Sequence, residues 1–205
     1  RVRGKTLVIL ANGSSYIFPA TNAKRRAYKL APELRLEISS PENFELGYIP
    51  ENAFVFFTSN SGKTHEILEM AKKLKIGETN GIEYFGVTAK PDSELAKLCG
   101  DNFYKMQGDF ENGVAATKSI IDQALFYDSL IHAIAGEEFP LGYNGRLTEQ
   151  VSRQMKENFE REIPEYVLNV SKDSKMFYWI DHNTGVGEEL KLKTHEILRK
   201  KASYE

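Results

Sequence analysis

Residues 52–75 read NAFVFFTSNSGKTHEILEMAKKLK, and this stretch decides the architecture. Val55, Phe56 and Phe57 lie in a continuous apolar run, the pattern of a strand covered on both faces. The hydroxyl- and glycine-rich turn SNSGKT (59–64) ends the run. Beyond it Ile67, Leu68, Ala71 and Leu74 recur at helical spacing and share one apolar face. Strand, turn and amphipathic helix in that order form half of a βαβ crossover. The chain around them is therefore expected to build an α/β fold, a parallel sheet with helices on both faces.

The flanks repeat the pattern. TLVILAN (6–12) is a second continuous apolar run, followed by the turn Asn12-Gly13-Ser14-Ser15 and a helix in which Pro19 is expected to start or kink the chain. ELRLEIS (33–39) alternates with period two, as a strand nearer the sheet edge does. IEYFGVT (82–88) and NFYKMQ (102–107) read as strands around a short helix, SELAKLC (93–99). Val114 to Ala135 reads as one long apolar helix. The composition then changes: Gly136, Pro140, Gly142 and Gly145 mark a connection, and a polar helix is expected over 145–162, ending near Pro164. KMFYWID (175–181), the turn HNTGVG (182–187) and a helix running on through EELKLKTHEILRKKASY (188–204) repeat the opening strand–turn–helix layout. The expected organisation is a first domain over 1–140, a connecting helix and linker over 141–172, and the start of a second, similar unit over 173–205. The sequence has no initiator Met, and KKASYE (200–205) carries no Gly, Asn or Pro stop signal, so both ends read as cut.

Composition narrows the function. Among 205 residues, 27 Lys and Arg stand against 29 Asp and Glu, a net charge of −2. With no basic stripe, that balance argues against a nucleic-acid binder, which must neutralise phosphates. No apolar run approaches the length that spans a bilayer. One cysteine, Cys99, excludes a disulfide framework and reads as a buried small hydrophobe. A reducing, cytoplasmic setting follows as the expectation. The four histidines (65, 132, 182, 195) show no metal-ligand spacing, so neither a metal nor a cofactor is expected.

Ligands of open α/β sheets sit where strands end and helices begin. Two hydroxyl-rich turns fall at that edge: Gly13, Ser14 and Ser15 after the first strand, and Ser59, Asn60, Ser61, Gly62 and Thr64 after the third. Hydroxyl donors, free amides and positive helix ends are what a phosphate monoester requires. Gly13 and Gly62 would let backbone approach the anion. Gly62-Lys63-Thr64 is not a P-loop, because the glycine required five residues earlier is Phe57. Helix capping by Ser61 or Thr64 is the competing reading. Thr117 and Lys118, opening the long helix, could add a hydroxyl and a cation to the same pocket. Glu189, Lys193 and Glu196 stand at i, i+4 and i+7, on one helical face. That face could supply a general base and a cation, or form a solvated ion-pair stripe.

Together these segments resemble the SIS (sugar isomerase) domain family, as in the isomerase half of glucosamine-6-phosphate synthase. Its C-G-T/S-S turn corresponds to Asn12-Gly13-Ser14-Ser15, its S-x-S-G-x-T loop to Ser59–Thr64, and its V-A-S-T-K helix opening to Val114–Lys118. Its E-x-x-x-K-x-x-E-I helix corresponds to Glu189, Lys193, Glu196 and Ile197. Asn12 stands where the family has Cys, and Ala116 where it has Ser. The resemblance implies a flavodoxin-like three-layer fold, often in tandem. It also implies a sugar phosphate as ligand, a homodimer, and Glu196 as base supported by Lys193 and Glu189. Aldose–ketose isomerisation, amino-sugar-phosphate conversion and phosphate deglycation remain open, as does a non-catalytic sugar-phosphate sensor.

Overall fold

The computed structural model describes residues 4–44, 49–76, 82–108, 110–113, 115–139, 153–154, 156–157, 164–182 and 184–204. Five strands form one parallel sheet: β1 (Thr6–Ala11), β2 (Leu36–Ser39), β3 (Ala53–Thr58), β4 (Glu83–Thr88) and β5 (Phe103–Lys105), in the order β2-β1-β3-β4-β5. β1 and β3 are buried at every position. They lie in the middle of the sheet with helices above and below, so both sets of alternating side chains face apolar partners.

The two faces carry separate cores. Leu7, Ile9, Phe54 and Phe56 point to one side, where α1 (Thr21–Leu30) and α4 (Lys118–Ala135) supply Ala23, Ala27, Tyr127 and Ile131. Val8, Leu10, Val55 and Phe57 point to the other, against Ile67, Leu68, Ala71 and Leu74 of α2 (His65–Ile76) and Leu95 and Cys99 of α3 (Glu94–Cys99). The apolar face assigned to 64–75 and the buried thiol are both found. Arg26 of α1 grips Asp128 of α4 through two hydrogen bonds of 2.6 and 3.1 Å. The Tyr127 hydroxyl pairs with Thr58 at the end of β3, and burial pushes its pKa up.

Several boundaries differ from expectation. Pro19 does not start the helix. It lies within one π-helical turn, Tyr16–Ala20, that runs directly into α1. The wider turn accommodates a residue that cannot donate an amide. α4 begins at Lys118 rather than Val114; Ala115 to Thr117 are not helical, and Val114 lies outside the described residues. Most of the helix expected at 145–162 also lies outside them; positions 153–154 and 156–157 are helical.

The C-terminal part forms a βαβ unit. α5 (Glu165–Asp173) leads to β6 (Met176–Trp179), α6 (Val186–Leu198) and β7 (Lys201–Tyr204), and β6 and β7 pair in parallel. The helix expected to continue through Tyr204 thus stops at Leu198. Arg199 turns left-handed (φ 55°), and the Ala202 amide donates to His195 Nε2 at 2.9 Å. Ladder pairing to β6 outweighs the helical propensity of the Lys-rich tail.

Gly185 fixes this unit on the first. Its φ is +84°, and a Cβ there would collide with the Ile17 carbonyl oxygen and stand 3.0 Å from Phe18 Cα. The start of α6 therefore rests on the backbone of the π turn. Gly136 has a similar φ of +77° with nothing within 4 Å of a Cβ. Gly136→Ala should cost about 1–2 kcal/mol, the left-handed penalty alone. Gly185→Ala should cost about 2 kcal/mol more through overpacking. Urea unfolding of the two variants measures the difference; equal losses would show that α6 is not held against that turn.

Candidate functional site

With the order β2-β1-β3, the chain leaves β1 toward one side of the sheet and β3 toward the other. Their carboxyl ends diverge there and open a crevice, the usual ligand position in such sheets. A cleft of about 310 Å³ lies at that point. Asn12, Ser14 and Ser15 wall it from the β1 side; Ser59, Asn60, Ser61 and Thr64 wall it from the β3 side. Phe110, Glu111, Gly113 and Ala116, ahead of α4, close a third side. A larger groove of about 1110 Å³ runs along the outer face of α4, but its walls, such as Ile121, Leu125, Phe126 and Leu130, offer few converging donors.

The 59–64 loop is organised by its own hydroxyls. Ser59 Oγ lies 2.7 Å from Thr64 Oγ1 and accepts the Gly62 amide at 3.1 Å. Ser61 Oγ accepts the Lys63 amide at 3.2 Å. The Asn60 carbonyl accepts from the Ala89 amide and the Thr88 hydroxyl, tying the loop to the end of β4, while Asn60 Oδ1 is buried without a partner. The two glycines do not line the cleft, contrary to expectation. Gly62 (φ +60°) turns its amide inward and packs where a Cβ would strike Ser93 and come 2.9 Å from Thr88 Oγ1. Gly13 (φ +54°) offers its carbonyl to the Tyr16 and Ile17 amides and so opens the first helix. Each glycine shapes its loop; the hydroxyl side chains face the space.

Thr117 and Lys118 are also displaced from the expected position. Both line the outer groove, and the Thr117 hydroxyl and amide are taken by Glu111. Glu111 accepts from the amides of Thr117, Lys118 and Ser119 and from both hydroxyls, at 2.5–3.2 Å. Partial burial pushes this carboxyl up, but those donors more than offset it and hold its pKa at about 2. A residue six positions ahead of Thr117 is a remote cap, so local capping patterns pass over it. Asp181 does the same ahead of α6. It accepts from the His182 and Thr184 amides and the Thr184 hydroxyl at 2.6–2.9 Å, and burial, which raises its pKa, is outweighed by these donors to leave it at about 2.

The carboxylate–lysine face of α6 meets the first turn. Lys193 Nζ donates to Ser14 Oγ at 3.0 Å and to Glu196 Oε2 at 2.9 Å, and stands 3.0 Å from Glu189 Oε1. Glu189 is buried, and neither of its oxygens receives a well-directed hydrogen bond. Burial disfavours the Lys193 charge, but the two carboxylates prevail and raise its pKa. The solvated-stripe alternative fails for Lys193 and Glu189, whose side chains are 13% and 7% exposed; Glu196, at 35%, keeps contact with solvent. Among the described residues no group of three His, Cys, Asp or Glu could hold a metal ion, and no helix is long and apolar enough to cross a membrane.

The family model described as SIS domain matches residues 3–133. No curated protein matches the sequence. Among solved structures, a protein assigned as a phosphosugar isomerase from Silicibacter pomeroyi DSS-3 aligns with 98% of this chain and 60% of its own, at 20% identity and TM-score 0.74. The C-terminal domain of glucosamine-fructose-6-phosphate aminotransferase from Francisella tularensis aligns with 98% and 58%, at 19% and 0.69. Glucosamine-6-phosphate deaminase from Thermotoga maritima aligns with 98% and 60%, at 22% and 0.70. At these identities the likeness is one of fold, and the chain spans about 60% of the length of these relatives.

Glu111 and Asp181 make stability depend on acid. Their folded pKa values lie below the ordinary 4.5 and 3.8, so their contribution is complete above those values and is lost as pH falls toward about 2. Urea midpoints should therefore drop between pH 4.5 and 2, and Glu111→Gln should flatten that slope while lowering the midpoint at neutral pH.

Proposed function

This chain belongs to the SIS domain family, and we propose that its β1/β3 cleft binds the phosphate of a sugar phosphate whose C1–C2 end faces α6. One observation carries the reading. The Lys193 ammonium rests on Ser14, so the acid–base face of α6 and the hydroxyl-lined cleft share one boundary. The solved relatives described as phosphosugar isomerase and glucosamine-6-phosphate deaminase act on such ligands by name, which supports the same class here.

In this proposal Ser59, Ser61 and Thr64 donate hydroxyls to the phosphate, with Ser15 on the opposite wall. The first-turn amides of α2, which have no intrahelical partners, add their positive end. Fixing the dianion leaves the open-chain sugar little freedom at its reacting end, the entropic part of catalysis. Glu196 takes the proton from C2, and Lys193 donates a hydrogen bond to the carbonyl oxygen as it gains charge. Glu196 returns that proton to C1 while the hydroxyl proton passes from O2 to O1, and the transfer through an enediol is complete. Glu189 holds Lys193 charged and aimed. The β6–α6–β7 unit would then be the start of the second, similar domain, bringing the acid–base residues to a phosphate held by the first.

Two hydrogen bonds to an ionised ligand contribute about 1.5–3 kcal/mol each. The double change Ser61→Ala, Thr64→Ala should therefore weaken hexose 6-phosphate binding by at least about 100-fold in calorimetry, and unchanged affinity would reject the phosphate assignment. Glu196→Gln should slow washout of C2 deuterium from labelled hexose 6-phosphate by about 10²–10⁴-fold with little change in affinity. Tight binding without washout in the unaltered chain would favour a sensor over an enzyme.

A further inference from the structure

Two long helices, α2 and α4, begin beside the cleft. Each helix start is a potential anion site, because its first amides lack partners and its dipole is positive there. The chain treats the two differently. At α4 the Glu111 carboxylate takes three successive amides and two hydroxyls, a full set of donors for an anion. Glu111 itself forms part of the cleft wall. At α2 the cleft-lining side chains of the loop are neutral, Ser59, Asn60, Ser61 and Thr64, while the first-turn Glu66 is exposed and lies outside the cleft lining.

We infer that Glu111 is a specificity-determining residue: its carboxylate fills the anion site at the start of α4, so the cleft accepts a single phosphate and only at the 59–64 loop. The inference rests on the phosphosugar reading above and deepens it to the monophosphate class. A space of about 310 Å³ is only a few ångströms in radius. A second dianion anywhere in it lies within a Debye length of Glu111, where salt screens poorly. The donors that would compensate that repulsion are already engaged. The result is discrimination by repulsion as well as by fit, against bisphosphorylated sugars and against a reversed monophosphate. It also accounts for the placement of Thr117, whose hydroxyl and amide serve the carboxylate instead of the ligand.

The test measures affinities of the full chain for fructose 6-phosphate and fructose 1,6-bisphosphate by calorimetry, with inorganic phosphate as a third probe. Glu111→Ala should raise the ratio of bisphosphate to monophosphate affinity at least tenfold and increase bound inorganic phosphate from one to two per chain. Glu111→Asp, which keeps the charge, should hold the original ratio. If the alanine variant does not fold, Glu111→Gln should shift the ratio in the same direction. A purely structural role would weaken both sugars together and leave their ratio unchanged, which overturns the inference while sparing the phosphosugar reading. Failure of the unaltered chain to bind fructose 6-phosphate at all overturns that reading, and this inference with it.

Discussion

The parallel pairing of β1 with β3, in register from Thr6↔Ala53 to Ala11↔Thr58, is the constraint from which the rest of the molecule follows. Both strands are buried along their whole length, so a slip of one residue would send Phe54 and Phe56 to the α2 face and Val55 and Phe57 to the α4 face. The two faces are filled by differently shaped sets, ring-rich on one side and aliphatic on the other, and neither accepts the exchange. Register in turn fixes where each strand ends. Ala11 and Thr58 finish level, and the 12–15 and 59–64 turns therefore open at the same height on either side of the crevice. The cleft is a geometric consequence of the core before any residue lining it is considered.

Charge placement at helix starts adds a second level of order. α4 and α6 are each preceded by a carboxylate several residues upstream that folds back onto amides and hydroxyls, Glu111 in one case and Asp181 in the other. Such interactions tie a loop residue to the helix start as well as capping it, across separations of up to eight positions from Glu111 to Ser119 and three from Asp181 to Thr184. Around the cleft this ties the Glu111 carboxylate to Thr117, Lys118 and Ser119 and gives that wall a negative group. The 59–64 wall is held by neutral serine and threonine contacts whose remaining hydrogen-bonding capacity is free to meet a ligand.

The sheet was legible in the sequence because its central strands are apolar but for Thr6 and Thr58 at their ends, whereas its helices alternate apolar and polar faces. The glycines of the two loops were legible as turns, yet their roles were not, because a positive φ says nothing about which way the amide points. Gly62 turns inward because Ser93 and Thr88 crowd it from a strand and helix about thirty residues away. The start of α4 was misplaced for a related reason. The sequence from Val114 is compatible with a helix, but the helix begins only at Lys118, where the Glu111 carboxylate accepts its first amides. β7 was hidden inside a lysine-rich helical pattern because its strand character comes from β6 rather than from its own side chains. The α6 triad was placed on one face by spacing alone, but its apposition to Ser14 joins residues 179 positions apart, a distance local pattern cannot bridge.

That apposition also sorts the two carboxylates. One ammonium between Glu189 and Glu196 leaves the cluster with one excess negative charge, and a buried site tolerates this only if one member remains in touch with solvent or ligand. Glu189, at 7% side-chain exposure, stands enclosed beside Lys193; Glu196, at 35%, opens outward. In the proposed reaction the roles therefore divide by burial rather than by chemistry. The enclosed carboxylate holds the cation in place, and the open one exchanges protons with the sugar. Because Lys193 also rests on Ser14, any shift of α6 along the π turn would move the Glu189–Lys193–Glu196 cluster relative to the cleft. The close approach of Gly185 to Ile17 and Phe18, outside the cleft, leaves no room there for a side chain and so sets how α6 sits on the π turn.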